Sequence, residues 1–316
     1  MENRWVEDIM DTHCHIHTCP SPDPVGSGWA VMGVSPESDW DEIAGMLGRP
    51  GVVGGYGVHP WYAARAIGWE GTLGGLEGDR EAIAEGVERV VGAAESRLGA
   101  AVEEGHFVLV GEIGVDKFRG FPPEMEECDL PGDYGEMSRN GRNRAVFTHI
   151  QVPLFEAQFE SASRLGLPVS IHCVQAGGYV FEFLSRMGKG AKSGVTQLPP
   201  GIALHSVSLK PALVKSMVSL PSPVSSILFF GLSPVINFNS ERNKSKTLQI
   251  LPLIPQDSLL LESDLDDHSD RDFVVSSYVA LVSAIADLWS STPEEVVAIA
   301  NANARRWLGA QYPCSL

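Results

Sequence analysis

Short apolar runs recur along the chain, each closing on Gly, His, Asp or Ser. Eight stand out: VEDIMDTH (6–13), WAVMGVS (29–35), GVVGGYGVH (51–59), FVLVGEIGVD (107–116), LPVSIHC (167–173), GIALHSVS (201–208), ILFFGLS (227–233) and SLLLESD (258–264). Runs that stay apolar at both parities predict strands buried on both faces. Between most of them lie stretches of helical period. Residues 79–104 read as a helix despite three glycines, as do 153–165 and 292–308. The last opens with STPEE, an N-cap followed by Pro at the first helical position and acids in the first turn. The apolar stretch 274–289 is too short, and too interrupted by Ser and Asp, to span a bilayer, so an amphipathic helix is expected and no membrane. Strands alternating with helices imply a parallel sheet covered on both sides. Eight of them predict an α/β fold closed as a single-domain (β/α)8 TIM barrel rather than an open doubly wound sheet. No G-x-G-x-x-G or P-loop follows any run, which argues against nucleotide binding.

The polar residues then acquire a common address. MDTHCHIH (10–17) carries three histidines and an aspartate in eight positions. Alternation along an extended chain puts Asp11, His13, His15 and His17 on one face and Met10, Thr12, Cys14 and Ile16 on the other. Imidazoles converging on one side of a strand suit a metal ion, although a surface strand could carry the same pattern. Further along, His59 ends the third run, Glu112 the fourth, His172 the fifth, His205 the sixth and Asp264 the eighth. In a barrel these ends surround one mouth, where active sites are built. One buried histidine is ordinarily structural; a set of histidines and acids at strand ends points to a site.

Composition narrows what that site can meet. The 316 residues are 44% apolar and 20% charged, and 23 basic against 40 acidic side chains leave a net charge of −17. Such a chain repels nucleic acid in bulk, so a polyanionic substrate must be drawn in by metal ions or a local basic patch. Two basic stretches, SRNGRNR (138–144) and ERNKSK (241–246), follow the fourth and seventh runs and are expected as loops on the same mouth. Arg139, Arg142, Arg144, Arg242 and Lys244, with Lys246, are candidate substrate-binding residues; incidental charge on two solvated loops is the alternative. Five cysteines without a CxxC pair predict reduced thiols in an intracellular protein. The acidic start MENRWVEDIM has no apolar signal region, so a cytoplasmic or nuclear rather than secreted protein is expected.

These motifs resemble the TatD-type metal-dependent DNase family. Its D-x-H-x-H opening is similar to DTHCH, its G-x-H-P to GVHPW, its G-E-x-G-x-D to GEIGVD, its P-V-x-I-H to PVSIHC and its ending E-T-D to ESD. NARRWLG resembles its closing helix. The ordered match covers about residues 9–309 of a single 1–316 domain. The resemblance implies a metal-dependent phosphodiesterase of the amidohydrolase-like barrel class, most simply a DNase with exonuclease character. It also implies a ligand set of His13, His15, Glu112, His172, His205 and Asp264. One divalent ion would sit on His13, His15, Glu112 and Asp264, and a second on Glu112, His172 and His205, with Glu112 bridging. Mixed imidazole and carboxylate donors suit Zn, Mn or Ni, with Mg also open. Ions ~3.5–4 Å apart can bind a phosphate oxygen and activate water.

Asp264 is then the expected catalytic residue that orients or deprotonates that water, and Glu112 the other catalytic residue. His59 is expected to hold phosphate, and Asp11 to fix an imidazole from behind. His17 is expected in a loop, and His149 is expected to be structural. Three departures resemble a divergent fungal-type branch: HCVQAGG lacks the Arg that usually follows the family's histidine, SVS replaces aromatic-Ser-Gly after His205, and the Pro beyond Asp264 is missing. A small-molecule hydrolase of amidohydrolase type and a partner-binding protein of little activity stay open. A carbamylated Lys at a strand end would favour the first of these, and lost ligands the second; neither is present. Oligomeric state is not legible.

Overall fold

Eight parallel strands form one sheet in the order of the chain: β1 (Met10–Cys14), β2 (Gly28–Met32), β3 (Val52–Gly55), β4 (Val108–Asp116), β5 (Val169–Val174), β6 (Ile202–Leu204), β7 (Leu228–Leu232) and β8 (Leu259–Leu261). The structure is a computed structural model that describes residues 3–16, 25–69, 79–122 and 138–309, so His17 lies outside the described residues. Representative register pairs are Met10 with Gly28, Trp29 with Val52, Gly54 with Val108, Val169 with Ile202 and Phe230 with Leu259. The ring closes between β8 and β1 through hydrogen bonds rather than a regular ladder. Thr12 Oγ1 donates to Leu261 O (2.9 Å), Asp264 N to His13 O (2.9 Å) and His15 N to Leu265 O (2.7 Å). This is the expected single-domain (β/α)8 barrel.

The helices are α1 (Trp40–Met46), α2 (Ala63–Ala66), α3 (Arg80–Glu103), α4 (Arg139–Val146), α5 (Val152–Leu165), α6 (Gly177–Lys192), α7 (Pro211–Val218), α8 (Val224–Ile227), α9 (Pro234–Asn237), α10 (Glu241–Ile250), α11 (Arg271–Trp289) and α12 (Pro293–Leu308). The STPEE reading holds: Thr292 and Glu295 close a capping box, with Pro293 opening α12. Helix α11 is long and apolar enough to cross a membrane by length and composition. Its buried residues Val274, Tyr278, Leu281, Val282 and Ile285 nevertheless form one helical stripe, as a barrel helix needs.

Two apolar layers leave only one end of the barrel for chemistry. Val31, Val110, Ile171 and Leu204 face outward into the shell beneath the helices, with Phe155, Phe159 and Phe183. Met10, Met32, Val53, Leu109, Phe229 and Leu260 fill the floor, which Trp307 and Leu308 of α12 plug. Trp307 Nε1 donates to Val169 O (3.1 Å), and Gly201 lies so close that a Cβ there would overlap the Trp307 backbone. Trp307→Ala is expected to destabilise the fold by about 3–5 kcal/mol, read as a lower urea midpoint. Metal stoichiometry of the folded fraction should hold, because the plug sits at the opposite end from the mouth.

Four expectations change here. Residues Arg4–Asp8 form a 3-10 turn, so the first strand begins at Met10. The β1 register shifts between Asp11 and Cys14, and this bulge breaks simple alternation. Met10 therefore joins the floor while Cys14 packs into the outer shell. Asp11 does not share a face with His13 and His15: its Oδ1 accepts from the backbone of His13 (3.1 Å) and Ser263 (2.9 Å), and the imidazole whose charge it feels is His268, not a ligand ring. Third, Glu112 lies inside β4, which continues to Asp116. Last, the two basic stretches are helical, capped by Ser138, which accepts from Gly141 N, and Ser240, which accepts from Asn243 N. His149 falls in the π-helical turn Phe147–Gln151.

Candidate metal centre

The side chains that end the strands meet around one carboxylate. Glu112 is 1% exposed, and its two oxygens face different neighbours. Oε2 lies 3.4 Å from Nε2 of both His13 and His15, whose same nitrogens are 3.8 Å from Asp264 Oδ1. Oε1 lies 2.8 Å from His172 Nδ1, 2.7 Å from His205 Nε2 and 3.7 Å from His59 Nε2. The six expected ligands are thus brought together, with Glu112 between two groups.

Hydrogen bonds behind the rings set which nitrogen faces the centre. His15 Nδ1 meets Met32 O (3.1 Å); a carbonyl only accepts, so Nδ1 carries the proton and Nε2 keeps its lone pair. His13 Nδ1 meets Ser170 Oγ (2.9 Å), again leaving Nε2 inward. His59 is built the other way. Its Nδ1 accepts from Trp61 N (3.2 Å), so in the neutral ring Nε2 carries the hydrogen and acts as a donor. That tautomer suits contact with an anion better than metal ligation.

The donor set fits divalent cations. His13 Nε2 and His15 Nε2 are 3.2 Å apart and converge on carboxylate oxygens, as His172 Nδ1 and His205 Nε2, also 3.2 Å apart, converge on Glu112 Oε1. Crowded imidazole and carboxylate atoms within 4.8 Å of one another occur in three groups: His13, His15 and Asp264; His13, Glu112 and His205; and His59, Glu112 and His172.

Charge balance without a cation explains the protonation states. Burial would neutralise Glu112, but His205, His59 and His13 outweigh it and hold its carboxyl well below the usual range. Burial also opposes a charged His205, yet Glu112 and Asp264 overcome it and push the ring up to about 10. His172 is likewise raised, with Asp116 and Glu112 overcoming burial. Burial and His205 lower His13 to about 4. Protons on His205 and His172 therefore occupy the place of a cation.

A pH experiment follows from these signs. His205 rises above its ordinary 6.5, so its contribution to metal-free stability is complete below about 6.5 and is lost as pH climbs through about 10. Metal affinity should run the opposite way, strengthening as those protons leave. Chelator-treated protein is expected to lose thermal stability from pH 6.5 to 10, while titration calorimetry in buffers of different ionisation enthalpy shows proton release on metal binding. Metal binding without proton release would refute this assignment.

Several residues around the ligands were not evident in the sequence. Asp264 has a left-handed backbone (φ 57°), and its Oδ2 accepts from Ser206 Oγ (2.9 Å). Ser206 N donates to buried Glu262, whose carboxyl burial pushes up to about 8. Gly231 makes room for that carboxyl, since a Cβ there would overlap it. Asp116 Oδ2 sits 3.5 Å from His172 Nε2 and accepts from Trp61 Nε1 (2.7 Å). The departure to SVS after His205 is thus part of the site, because Ser206 holds Asp264. Among the described residues, no hydrogen bond or ion pair joins Arg139, Arg144, Arg242 or Lys244 to the cluster; Lys244 Nζ lies 5.7 Å over the Phe238 ring.

Comparison with known proteins agrees with this geometry. The model of a family described as TatD related DNase matches residues 10–309. A Mycobacterium tuberculosis protein named uncharacterized metal-dependent hydrolase TatD is 28% identical over 222 residues, covering 69% of this chain and 70% of its own. The Cut9-interacting protein scn1 of Schizosaccharomyces pombe is 24% identical over 350 aligned residues, covering 96% of this chain and 99% of its own. Among solved structures, the TatD homologue YjjV of Escherichia coli superposes with a TM-score of 0.56 at 17% identity, covering 96% of this chain and 99% of that one. A TatD family hydrolase of Entamoeba histolytica gives 0.58 at 10% identity, with 96% and 99% covered. At such identities the structures speak to the fold alone.

Proposed function

Because the chain belongs to the TatD related DNase family, we propose that this metal-dependent hydrolase is a phosphodiesterase acting on DNA with exonuclease character. The observation that carries the reading is Glu112, whose two oxygens serve His13 and His15 on one side and His172 and His205 on the other. With Asp264 on the first side, these residues would hold two divalent ions. Bound ions would polarise a phosphoryl oxygen and lower the pKa of a water toward ~7.

The chain's own groups supply the rest. His59, neutral because burial lowers it well below the usual range despite Glu112, presents an Nε2–H to an anionic oxygen. Asp264, held by Ser206, offers Oδ1 as a proton acceptor at the edge of the His13 and His15 pair. Arg139, Arg142 and Arg144 on α4 and Arg242 and Lys244 on α10 offset the net −17 in the connections after β4 and β7.

The small-molecule hydrolase reading gains no support from a lysine in the cluster. Lys117, just past β4, has its Nζ 4.8 Å over the Phe147 ring. The relative scn1 is named for a protein interaction, and a protein partner is compatible with a complete ligand set but does not account for it. The test compares bis(p-nitrophenyl) phosphate and oligonucleotides with a panel of amides and lactones, using metal-loaded and chelated protein. Chelator-sensitive diester hydrolysis is expected. Amide or lactone hydrolysis without diester hydrolysis would overturn the proposal.

A further inference from the structure

We propose that the turn leaving β4 is the first nucleotide subsite for a single-stranded substrate, with Arg119 taking the phosphate next to the scissile one and Phe118 stacking its base. This rests on the phosphodiesterase reading and adds to it a place and the two residues that form it.

The turn is hung on the metal cluster by one carboxylate. Asp116 accepts from Phe118 N (2.7 Å) and Arg119 N (2.9 Å) as well as from Trp61 Nε1 (2.7 Å), and it faces His172 Nε2 at 3.5 Å. The positions of Phe118 and Arg119 are thereby tied to a ligand ring rather than to a free loop. Trp61 forms the wall between them: its ring centroid is 4.7 Å from that of His59 and 6.1 Å from that of His172. The Arg119 guanidinium lies 5.5 Å over the same indole. One aromatic ring therefore separates a cation from the centre.

The chemistry of the turn matches a splayed strand. Among the described residues, Arg119 has no carboxylate at ion-pair distance, and its guanidinium lies over the Trp61 ring. Phe118 is 54% exposed and stands in the chain between Lys117 and Arg119, whose cations lie over the Phe147 and Trp61 rings. An exposed aromatic face with a cation one residue away binds single strands by stacking and charge, whereas a paired base offers no free face. The charge also continues outward. Asn143 of α4 donates to Phe118 O and accepts from Gly120 N (3.1 Å), which fixes the helix bearing Arg139, Arg142 and Arg144 to this turn. Arg119 supplies an anion-binding cation that the segment after His172 lacks.

The experiment measures binding of fluorescein-labelled oligothymidylate and of a duplex of equal length by anisotropy in EDTA, so that no cleavage intervenes. Phe118→Ala is expected to weaken single-strand binding roughly tenfold or more, with Phe118→Trp restoring it and duplex binding changing less. Arg119→Ala should weaken it and flatten the log–log salt dependence by about 0.7, the loss of one phosphate contact on a single strand. With metal restored, both variants should lose more kcat/KM on the oligonucleotide than on bis(p-nitrophenyl) phosphate. Wild-type affinity in both variants, or equal loss on single strand and duplex, would overturn the subsite. Wild-type protein that cleaves the small diester but binds no oligonucleotide overturns the subsite and leaves the diesterase reading standing. Protein that cleaves no diester but shows the Phe118 effect overturns the diesterase reading instead.

Discussion

Glu112→Gln is expected to lower kcat for diester hydrolysis on the order of 10³-fold or more and to reduce bound metal, while the barrel stays folded. The size follows from the charge the residue supplies. A carboxylate shared by two cations offsets their repulsion, and losing several kcal/mol of that stabilisation at ~1.36 kcal/mol per decade gives the estimate. Gln keeps the shape of the side chain, so packing inside β4 is not the variable. What changes is the charge: an NH2 facing His172 and His205 sets hydrogens against protonated rings, and one facing His13 and His15 removes the anionic oxygen from beside their lone pairs. Metal analysis of the purified variant, circular dichroism and steady-state kinetics together read the outcome. Full metal stoichiometry with full activity would remove Glu112 from the bridge. His59→Ala should cost less and act mainly on KM, because its inward nitrogen is a donor and not a lone pair.

Asp264→Asn should lower kcat about 10²–10⁴-fold, the usual worth of a positioned proton acceptor, with little change in KM. Asn is the informative replacement for a conformational reason. Asp264 sits at φ 57°, a region that Asn tolerates and most side chains do not. An amide oxygen can also still accept from Ser206 Oγ, so the loop after β8 keeps its shape. The position nearest His13 and His15 then becomes an uncharged NH2, which has no lone pair with which to take a proton. Unchanged kcat would reassign the proton acceptor to another group.

The barrel was legible because its information is local and ordered. Each strand is a contiguous apolar run, and α3, α5, α11 and α12 lie within a residue or a few of their expected bounds. The groups at the mouth were legible for a related reason: a barrel brings strand ends to one mouth whatever the connections between them, so position along each run placed His13, His59, His172, His205 and Asp264 there, and the family resemblance sorted the ligands from His59. The basic helices were missed although their caps were in view. Ser138 and Ser240 each precede the stretch in question, but strings of Arg, Asn and Lys have no apolar face to give a period.

By itself the sequence determined the strand count, the strand order and the identity of the groups at the mouth, since these depend on residue type and on spacing along one run. Tertiary structure alone decided how the groups are used, because the deciding partners are remote in the chain. The tautomer of His15 depends on Met32 O, the position of His13 on Ser170, and that of Asp264 on Ser206. The bulge that turns Asp11 away from the imidazoles is a property of how β1 pairs with β2. Asp116 gathers Trp61, Phe118, Arg119 and His172 only because β3, β4 and β5 are neighbours in the ring. Hydrogen bonds fix protonation and orientation over about 3 Å, a distance that spacing along a chain cannot specify between residues on different strands.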